Sequence, residues 1–283
     1  MEIKASLAEQ KAELQAYFRN RASEILTEVE ADVGKNNPKK VTQAFQPSLR
    51  ESRDNLISAV SQASKRDNWE RESLLKSILL IHHTSNAAML EARHKVWPYE
   101  YMAFSRRVGE LWESFVGTVF EYPIADDLVL VIPPLFSDVR NKLGQEVVDY
   151  IDVLALDAKQ KEELKDYYRK VWLLVDAGEI KLELDRHVSK GTENYNIDLK
   201  SGFGSNEKGN TNRLLVVASI YKNIIAGTYR NCILVRTAEE RNNHYLQTLK
   251  NSGLWEVFCC DEAYQQIGEL VGFDLKNWIN QNV

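Results

Sequence analysis

The sequence is poor in cysteine and has no long hydrophobic run, and these two features argue against disulfide-rich, zinc-binding and membrane-spanning proteins. Only three of the 283 residues are cysteine, and Cys232, Cys259 and Cys260 lack both the number needed for a disulfide framework and the spacing of a zinc site. No run of about 18 apolar residues is present, so no membrane span is expected. The N-terminal residues lack the apolar core of a secretory signal. We therefore expect a protein of the reducing cytoplasm.

Positive charge is also in short supply. The chain carries 36 Lys and Arg against 41 Asp and Glu, for a formal net charge of −5. Nucleic-acid-binding surfaces are usually basic, so this balance argues mildly against such a partner. The net charge of the whole chain does not exclude a local basic cleft, because the acidic residues could lie elsewhere or bind metal. The hydrophobic content of 44% is ordinary for a globular protein with a sizeable core.

The spacing of apolar residues divides the chain into two parts. Apolar residues recur at helical spacing through residues 1 to about 120, with a break between Gly34 and Pro38. Helices are also predicted near residues 139–175, 212–225 and 239–251 and in the C-terminal tail. Strands are predicted near residues 126–136, 231–237 and 254–260. We divide the chain into a helical N-terminal region, 1–104, for dimerisation or DNA-backbone contacts, and a catalytic core, 105–283.

Two segments that alternate apolar and polar residues contain most of the functional signal. Residues 179–188 (EIKLELDRHV) and 195–200 (YNIDLK) have the period of half-buried strands. Their polar faces contain Asp185 in the first strand and Asp198 and Lys200 in the second. We expect the polar face of the second strand to be exposed in a cleft. Two carboxylates and an ammonium group in one patch could hold a divalent cation against a phosphodiester.

The order strand, strand, helix, strand, helix, strand predicts an α/β fold in which helices flank a central mixed sheet. Within that order, Asp185 is followed after a turn by Asp198-Leu199-Lys200, and a helix opens near Asn212. This arrangement resembles the PD-(D/E)XK nuclease superfamily and, within it, the type II restriction endonucleases. Leu184 stands where the family name has proline. The resemblance covers roughly residues 105–260 and implies a restriction-endonuclease-like core.

The resemblance also implies an activity, the Mg²⁺-dependent, sequence-specific hydrolysis of phosphodiester bonds in double-stranded DNA. Asp185 and Asp198 would bind the metal, and the carbonyl of Leu199 could add a third ligand. Lys200 would orient the attacking water and offset charge on the scissile phosphate. Glu113, in the helical segment GELWESF before the core, would supply an outer carboxylate.

Each of these roles has an alternative. Glu183 shares the face of Asp185 and could replace it, while Glu110 is the nearest substitute for Glu113. Asp198 and Lys200 could instead form an exposed ion pair, which would contribute little to stability. His187, two residues beyond Asp185, could touch the site.

Residues 201–213 (SGFGSNEKGNTNR) follow the second strand directly. Glycines let backbone amides approach a phosphate closely, and Asn, Lys and Arg donate to phosphate oxygens and base edges. The candidate DNA contacts are Ser201, Asn206, Lys208, Asn210, Asn212 and Arg213. The same segment could be only a flexible connection. Because each DNA strand needs an active site, we expect a two-fold homodimer, whose partner surface could come from the helical N-terminal region.

Two other functions fit the same sequence. One is a structure-selective nuclease of DNA repair or recombination with the same fold. The other is a non-catalytic, mainly helical interaction protein whose apparent site is chance surface charge, which agrees with the acidic balance of the chain.

Overall fold

A computed structural model describes residues 3–175, 180–204 and 207–283. The α-helices are α1 (Lys11–Val33), α2 (Pro38–Arg66), α3 (Arg71–Val96), α4 (Tyr101–Glu121), α5 (Phe136–Val153), α6 (Ala158–Val175), α7 (Lys208–Asn223), α8 (His244–Asn251), α9 (Asp261–Val271) and α10 (Leu275–Asn282). The strands are β1 (Leu128–Leu130), β2 (Arg186–Lys190), β3 (Glu193–Lys200), β4 (Tyr229–Val235) and β5 (Glu256–Cys259). The predicted α/β class is confirmed, with a five-stranded mixed sheet flanked by helices.

The chain forms two compact units. The helical unit comprises residues 1–128, 199–202 and 259–283, and the sheet unit comprises residues 129–198 and 203–258. The boundary that the sequence suggested, at residue 104, lies inside α4. Strand β3 contributes to both units, since its residues up to Asp198 belong to the sheet unit and its last two to the helical unit.

The helical unit is built around α3, which packs against α1, α2 and α4. One face of α1 is buried at helical spacing, through Leu14, Phe18 and Ile25. The turn after α1 follows from its sequence. Gly34 adopts a φ of 87°, and the Asn37 side chain accepts a hydrogen bond from the Lys40 amide at the start of α2.

In the sheet unit, β2 and β3 form an antiparallel hairpin whose turn contains Gly191 with a φ of 60°. The strands lie in the order β1-β2-β3-β4-β5, with α7 between β3 and β4 along the chain and α8 between β4 and β5. Helix α7 is joined to the sheet by two hydrogen bonds: Trp255 Nε1 donates to the Leu214 carbonyl, and Asn231 Nδ2 donates to the Ala218 carbonyl.

Some predicted boundaries were wrong. The strand predicted at 179–188 begins only at Arg186. Before it, Leu182 and Leu184 are buried and alternate with exposed residues, as the sequence pattern suggested. Glu179 lies outside the described residues. The strand predicted at 126–136 has three residues and ends before two prolines, which cannot donate to a ladder. The helix predicted at 139–175 is two helices, because Asp157 ends the connection and caps α6. Helix α7 begins four residues earlier than predicted, at Lys208.

In the part of the chain that the structure describes, every helix is too short or too polar to cross a lipid bilayer.

Candidate functional site at the β2–β3 hairpin

The register of the hairpin relates the two predicted metal-binding aspartates. Arg186 pairs with Ile197, and the ladder continues from there towards the turn. Asp185 directly precedes the first residue of β2, and Asp198 directly follows Ile197 on β3. The two aspartates therefore adjoin the terminal pair of the ladder, Arg186 and Ile197. Asp198 lies on a strand, whereas Asp185 lies in the bend that leads into one.

The two carboxylates differ in their exposure to solvent. Asp185 is exposed, whereas Asp198 retains only 1% of its surface. The expectation that this face of β3 is exposed in a cleft was wrong. Helix α7 explains the burial, since Arg213 on this helix brings Nη2 within 3.9 Å of Asp198 Oδ1. A charge removed from water needs a compensating partner, and the guanidinium supplies one.

Arg213 also holds the segment that precedes β2. Its Nη1 donates to the carbonyls of Lys181 and Glu183, at 3.4 and 3.2 Å. Its Nη2 lies 3.5 Å from Asn210 Oδ1, and Asn210 in turn donates to Glu207 Oε2 at 3.1 Å. Arg213, which the sequence suggested as a DNA contact, therefore joins the first turn of α7 to the chain around Asp185.

A line of buried polar side chains runs across three strands on the same face of the sheet. The Leu184 amide donates to His187 Nε2 at 2.9 Å, so the ring carries its proton on Nδ1 and donates from there to Asn196 Oδ1 at 2.8 Å. Asn196 Nδ2 donates to Asn231 Oδ1 at 2.9 Å. Burial lowers the pKa of His187, while the Asn196 hydrogen bond and the nearby Glu183 and Asp185 carboxylates raise it.

This polar line is enclosed by the sheet unit itself. The ring of Tyr221, on α7, lies 5.8 Å from that of His187, and burial raises the pKa of the Tyr221 hydroxyl. His187 is thus held neutral in a packed environment, where it positions the backbone next to Asp185. Sequence reasoning considered His187 only as a possible site residue and missed its partners. The available signal was an asparagine, Asn196, on the polar face of β3 and a second one, Asn231, at the start of the apolar run of β4.

The remaining predicted catalytic residues belong to the helical unit. Lys200, the last residue of β3, is half-buried. Glu113 on α4 accepts a hydrogen bond at Oε1 from the Ser201 amide, at 3.1 Å. Gly109, one turn earlier on α4, is required here because a Cβ at that position would overlap the Ser201 side chain. Glu113, which the sequence suggested as an outer carboxylate, thus holds the backbone of the residue that follows β3.

The remaining alternative residues are placed as follows. Glu110 forms an ion pair with Arg107 at 2.8 Å, and Glu183 is exposed. Lys208 and Asn212 are exposed on the first two turns of α7, while Asn206 lies outside the described residues. Exposed side chains at the start of α7 remain able to reach an external phosphate.

The donor chemistry of the hairpin suits a hard cation, because carboxylate oxygens are the ligands that Mg²⁺ prefers. Among the described residues no group of three or more His, Cys, Asp or Glu side chains is positioned to hold a metal. Magnesium keeps several waters and is often held by one or two carboxylates, so Asp185 and Asp198 would be sufficient donors in type and number. Arg213 competes with a cation for Asp198 Oδ1.

Comparison with protein-family models, curated proteins and solved structures gives no match, so geometry alone supports the interpretation of this site.

Proposed function

We propose that this chain is a Mg²⁺-dependent endonuclease that hydrolyses phosphodiester bonds in double-stranded DNA, with type II restriction cleavage as its specific form. The observation that supports the proposal is the β2–β3 hairpin, in which Asp185 directly precedes β2 and Asp198 directly follows the last paired residue of β3, Ile197. Lys200 follows two residues later on the same strand, and alternate residues of a strand share a face.

Asp185 and Asp198 would hold the cation, with the Leu199 carbonyl as a further oxygen donor. A bound Mg²⁺ supplies an activated water and offsets the negative charge that develops on the phosphoryl oxygens. Lys200 would orient the attacking water and stabilise the charge on the scissile phosphate. Glu113 would act indirectly, since its hydrogen bond to the Ser201 amide fixes the backbone that follows Lys200.

Arg213 would hold the first turn of α7 against the chain around Asp185. Because its guanidinium neutralises Asp198 in the unliganded protein, cation binding has to replace that interaction. The affinity for Mg²⁺ would then be modest, and it should rise when Arg213 is replaced by glutamine. The exposed residues Lys208 and Asn212 would contact DNA phosphates.

The direct test is incubation of the purified protein with plasmid and phage DNA, with and without Mg²⁺, followed by gel electrophoresis. Discrete fragments support restriction cleavage. Smears or nicks confined to branched substrates support a structure-selective repair nuclease of the same fold. DNA that stays intact in Mg²⁺ and Mn²⁺ contradicts both nuclease proposals.

Matched variants identify the residues responsible. Asp185→Asn should abolish cleavage, whereas Glu183→Gln should leave it unchanged, because Asp185 directly precedes β2 and Glu183 lies two residues further from the strand. Lys200→Ala should abolish cleavage by more than about a hundredfold while DNA binding persists. Full cutting by Lys200→Ala would remove that lysine from the mechanism. Circular dichroism of each variant checks the fold.

A non-catalytic interaction protein is the second candidate, and one observation favours it. The burial of Asp198 beside Arg213 is also what a purely structural ion pair would show. Calorimetric titration with Mg²⁺ separates the two functions without any turnover. Heat of binding that Asp185→Asn removes and Glu183→Gln retains supports the metal site, whereas no binding to the wild-type protein supports the structural pair.

A further inference from the structure

The helical hairpin formed by α5 and α6 leaves an apolar stripe uncovered. On α6, Leu164, Tyr167 and Val171 are 40%, 65% and 57% exposed. Their spacing of three and four residues places them on one face of the helix. No residue of α6 with a described side chain is buried. Large apolar side chains grouped in this way on the surface of a folded unit typically mark an interaction site.

A different face of α6 is already occupied by its contact with α5. Helices α5 and α6 are antiparallel, because Phe136 at the start of α5 contacts Trp172 near the end of α6, and Lys165 forms an ion pair with Asp152 at 2.8 Å. The inner face of α6, with Lys165, Tyr168 and Trp172, lies beside the stripe. The stripe is therefore not the seam between the two helices.

Helix α5 extends the same kind of surface. Tyr150 and Val153, one turn apart near its C-terminus, are exposed, as is Leu156 in the connection to α6. Each helix has 18 residues, so the hairpin face is about 27 Å long and about 20 Å wide. This size is of the same order as the roughly 800 Å² per partner that stable dimers bury.

The charges beside the stripe indicate what covers it. Glu163 and Lys170 are seven residues apart on α6, so they occupy equivalent positions along the same edge of the stripe. If two copies of α6 packed in parallel, this edge of one helix would face the opposite edge of the other, and Glu163 and Lys170 would not meet across the contact. In an antiparallel pair related by a two-fold axis, Glu163 of each copy lies near Lys170 of the other. The helix is therefore complementary to itself in both apolar pattern and charge.

We propose that the α5–α6 hairpin is the contact surface of a homodimer, with α6 packed antiparallel against α6 of a second copy across a two-fold axis. An isologous interface of this kind uses one patch twice. It lies in the sheet unit, not in the helical N-terminal region that the sequence suggested. The dimer does not depend on nuclease activity, although cleavage of both DNA strands requires two sites.

Sedimentation equilibrium over a wide range of protein concentration, without DNA or Mg²⁺, tests the interface. Tyr167→Glu and Val171→Glu should each raise the dimer dissociation constant by at least tenfold, because each buries a charge in an apolar contact. Val216→Glu, the same change at an exposed valine of α7, should leave the constant unchanged. All three residues are exposed, so circular dichroism should show unaltered folding.

Charge exchange tests the antiparallel arrangement. Glu163→Lys and Lys170→Glu should each weaken the dimer about threefold, since each creates like-charge neighbours. An equimolar mixture of the two variants should form heterodimers preferentially, because both pairs become attractive again. A wild-type protein that is monomeric at every concentration overturns the proposal. So does a dimer that tolerates Tyr167→Glu and Val171→Glu, and a dimer indifferent to charge exchange overturns the antiparallel geometry.

Discussion

The four N-terminal helices and the α5–α6 hairpin have similar spacing of apolar residues, but these residues are buried in the first region and exposed in the second. Helix α1 buries Leu14, Phe18 and Ile25 completely or nearly so, whereas α6 presents Leu164 and Val171 to solvent. Both sets recur at three- and four-residue spacing. Helical periodicity thus specifies which face of a helix is apolar, but the partner of that face is decided by the rest of the fold.

The two regions also depend on different kinds of interaction. The N-terminal helices are held by long-range packing around α3, where residues on every side are buried. The hairpin depends more on local interactions. Asp157 and Gln160 form a reciprocal capping box at the start of α6, at 2.8 and 3.2 Å, and Lys165 binds Asp152. We therefore expect α1–α4 to unfold cooperatively and α6 to open on its own.

The largest expected effect comes from truncating a buried aromatic residue. Phe18→Ala should lower the free energy of unfolding by about 4 kcal/mol, because it removes a fully buried ring and leaves a cavity. Tyr167→Ala, which removes an exposed ring from α6, should cost less than about 0.5 kcal/mol in the monomer. Urea unfolding at low protein concentration measures both. Equal losses would contradict the contrast between the two regions.

The next effect is a dependence of stability on pH that arises from a histidine buried in the helical unit. Burial, with a smaller contribution from the Arg53 guanidinium, lowers the pKa of His82 to about 3, and its Nε2 lies 3.3 Å from Thr118 Oγ1 on α4. The ordinary pKa of 6.5 applies to the unfolded chain, which therefore binds more protons between these values. Stability should fall by about 3 kcal/mol from pH 7 to pH 4 through this group alone.

A His82→Gln variant isolates that contribution. Glutamine retains a donor for Thr118 but does not titrate, so the difference between wild-type and variant unfolding energies should shrink as the pH falls. A constant difference would show that His82 does not titrate on unfolding. The α5–α6 hairpin contains no histidine, so a His82-linked change should not appear in local opening of α6.

The elements whose structure depends on neighbouring residues could be predicted from the sequence. The break between α1 and α2 follows from Gly34 and from the Asn37 cap, and both are readable in the sequence. Strand β3 follows from strict alternation over seven of its residues, 194–200. The early part of the first predicted strand was wrong because Arg213, distant in sequence, ties the carbonyls of Lys181 and Glu183 to α7.

For the candidate site, the sequence predicted the strand pattern but not the burial of its residues. The predicted strand that contains Asp198 and Lys200 is confirmed as β3, whereas Asp185 lies just before β2 and not within a strand. Burial of Asp198 could not be predicted, because a polar strand face normally indicates solvent. Here that face is covered by α7, whose Arg213 lies beside Asp198 and whose Tyr221 lies beside His187. Only the full tertiary arrangement shows that Asn196 and Asn231 are partners.

The smallest predicted effect tests whether α6 opens alone while α2 unfolds only together with the other N-terminal helices. Asp157→Ala removes the side-chain acceptor of the Gln160 amide, and Asn37→Ala removes that of the Lys40 amide. Each should cost about 1 kcal/mol. If α6 opens independently, the Asp157 variant should accelerate hydrogen exchange of α6 amides while leaving urea unfolding of the helical unit unchanged. The Asn37 variant should instead shift that unfolding midpoint, because α2 opens only with the helices packed around α3.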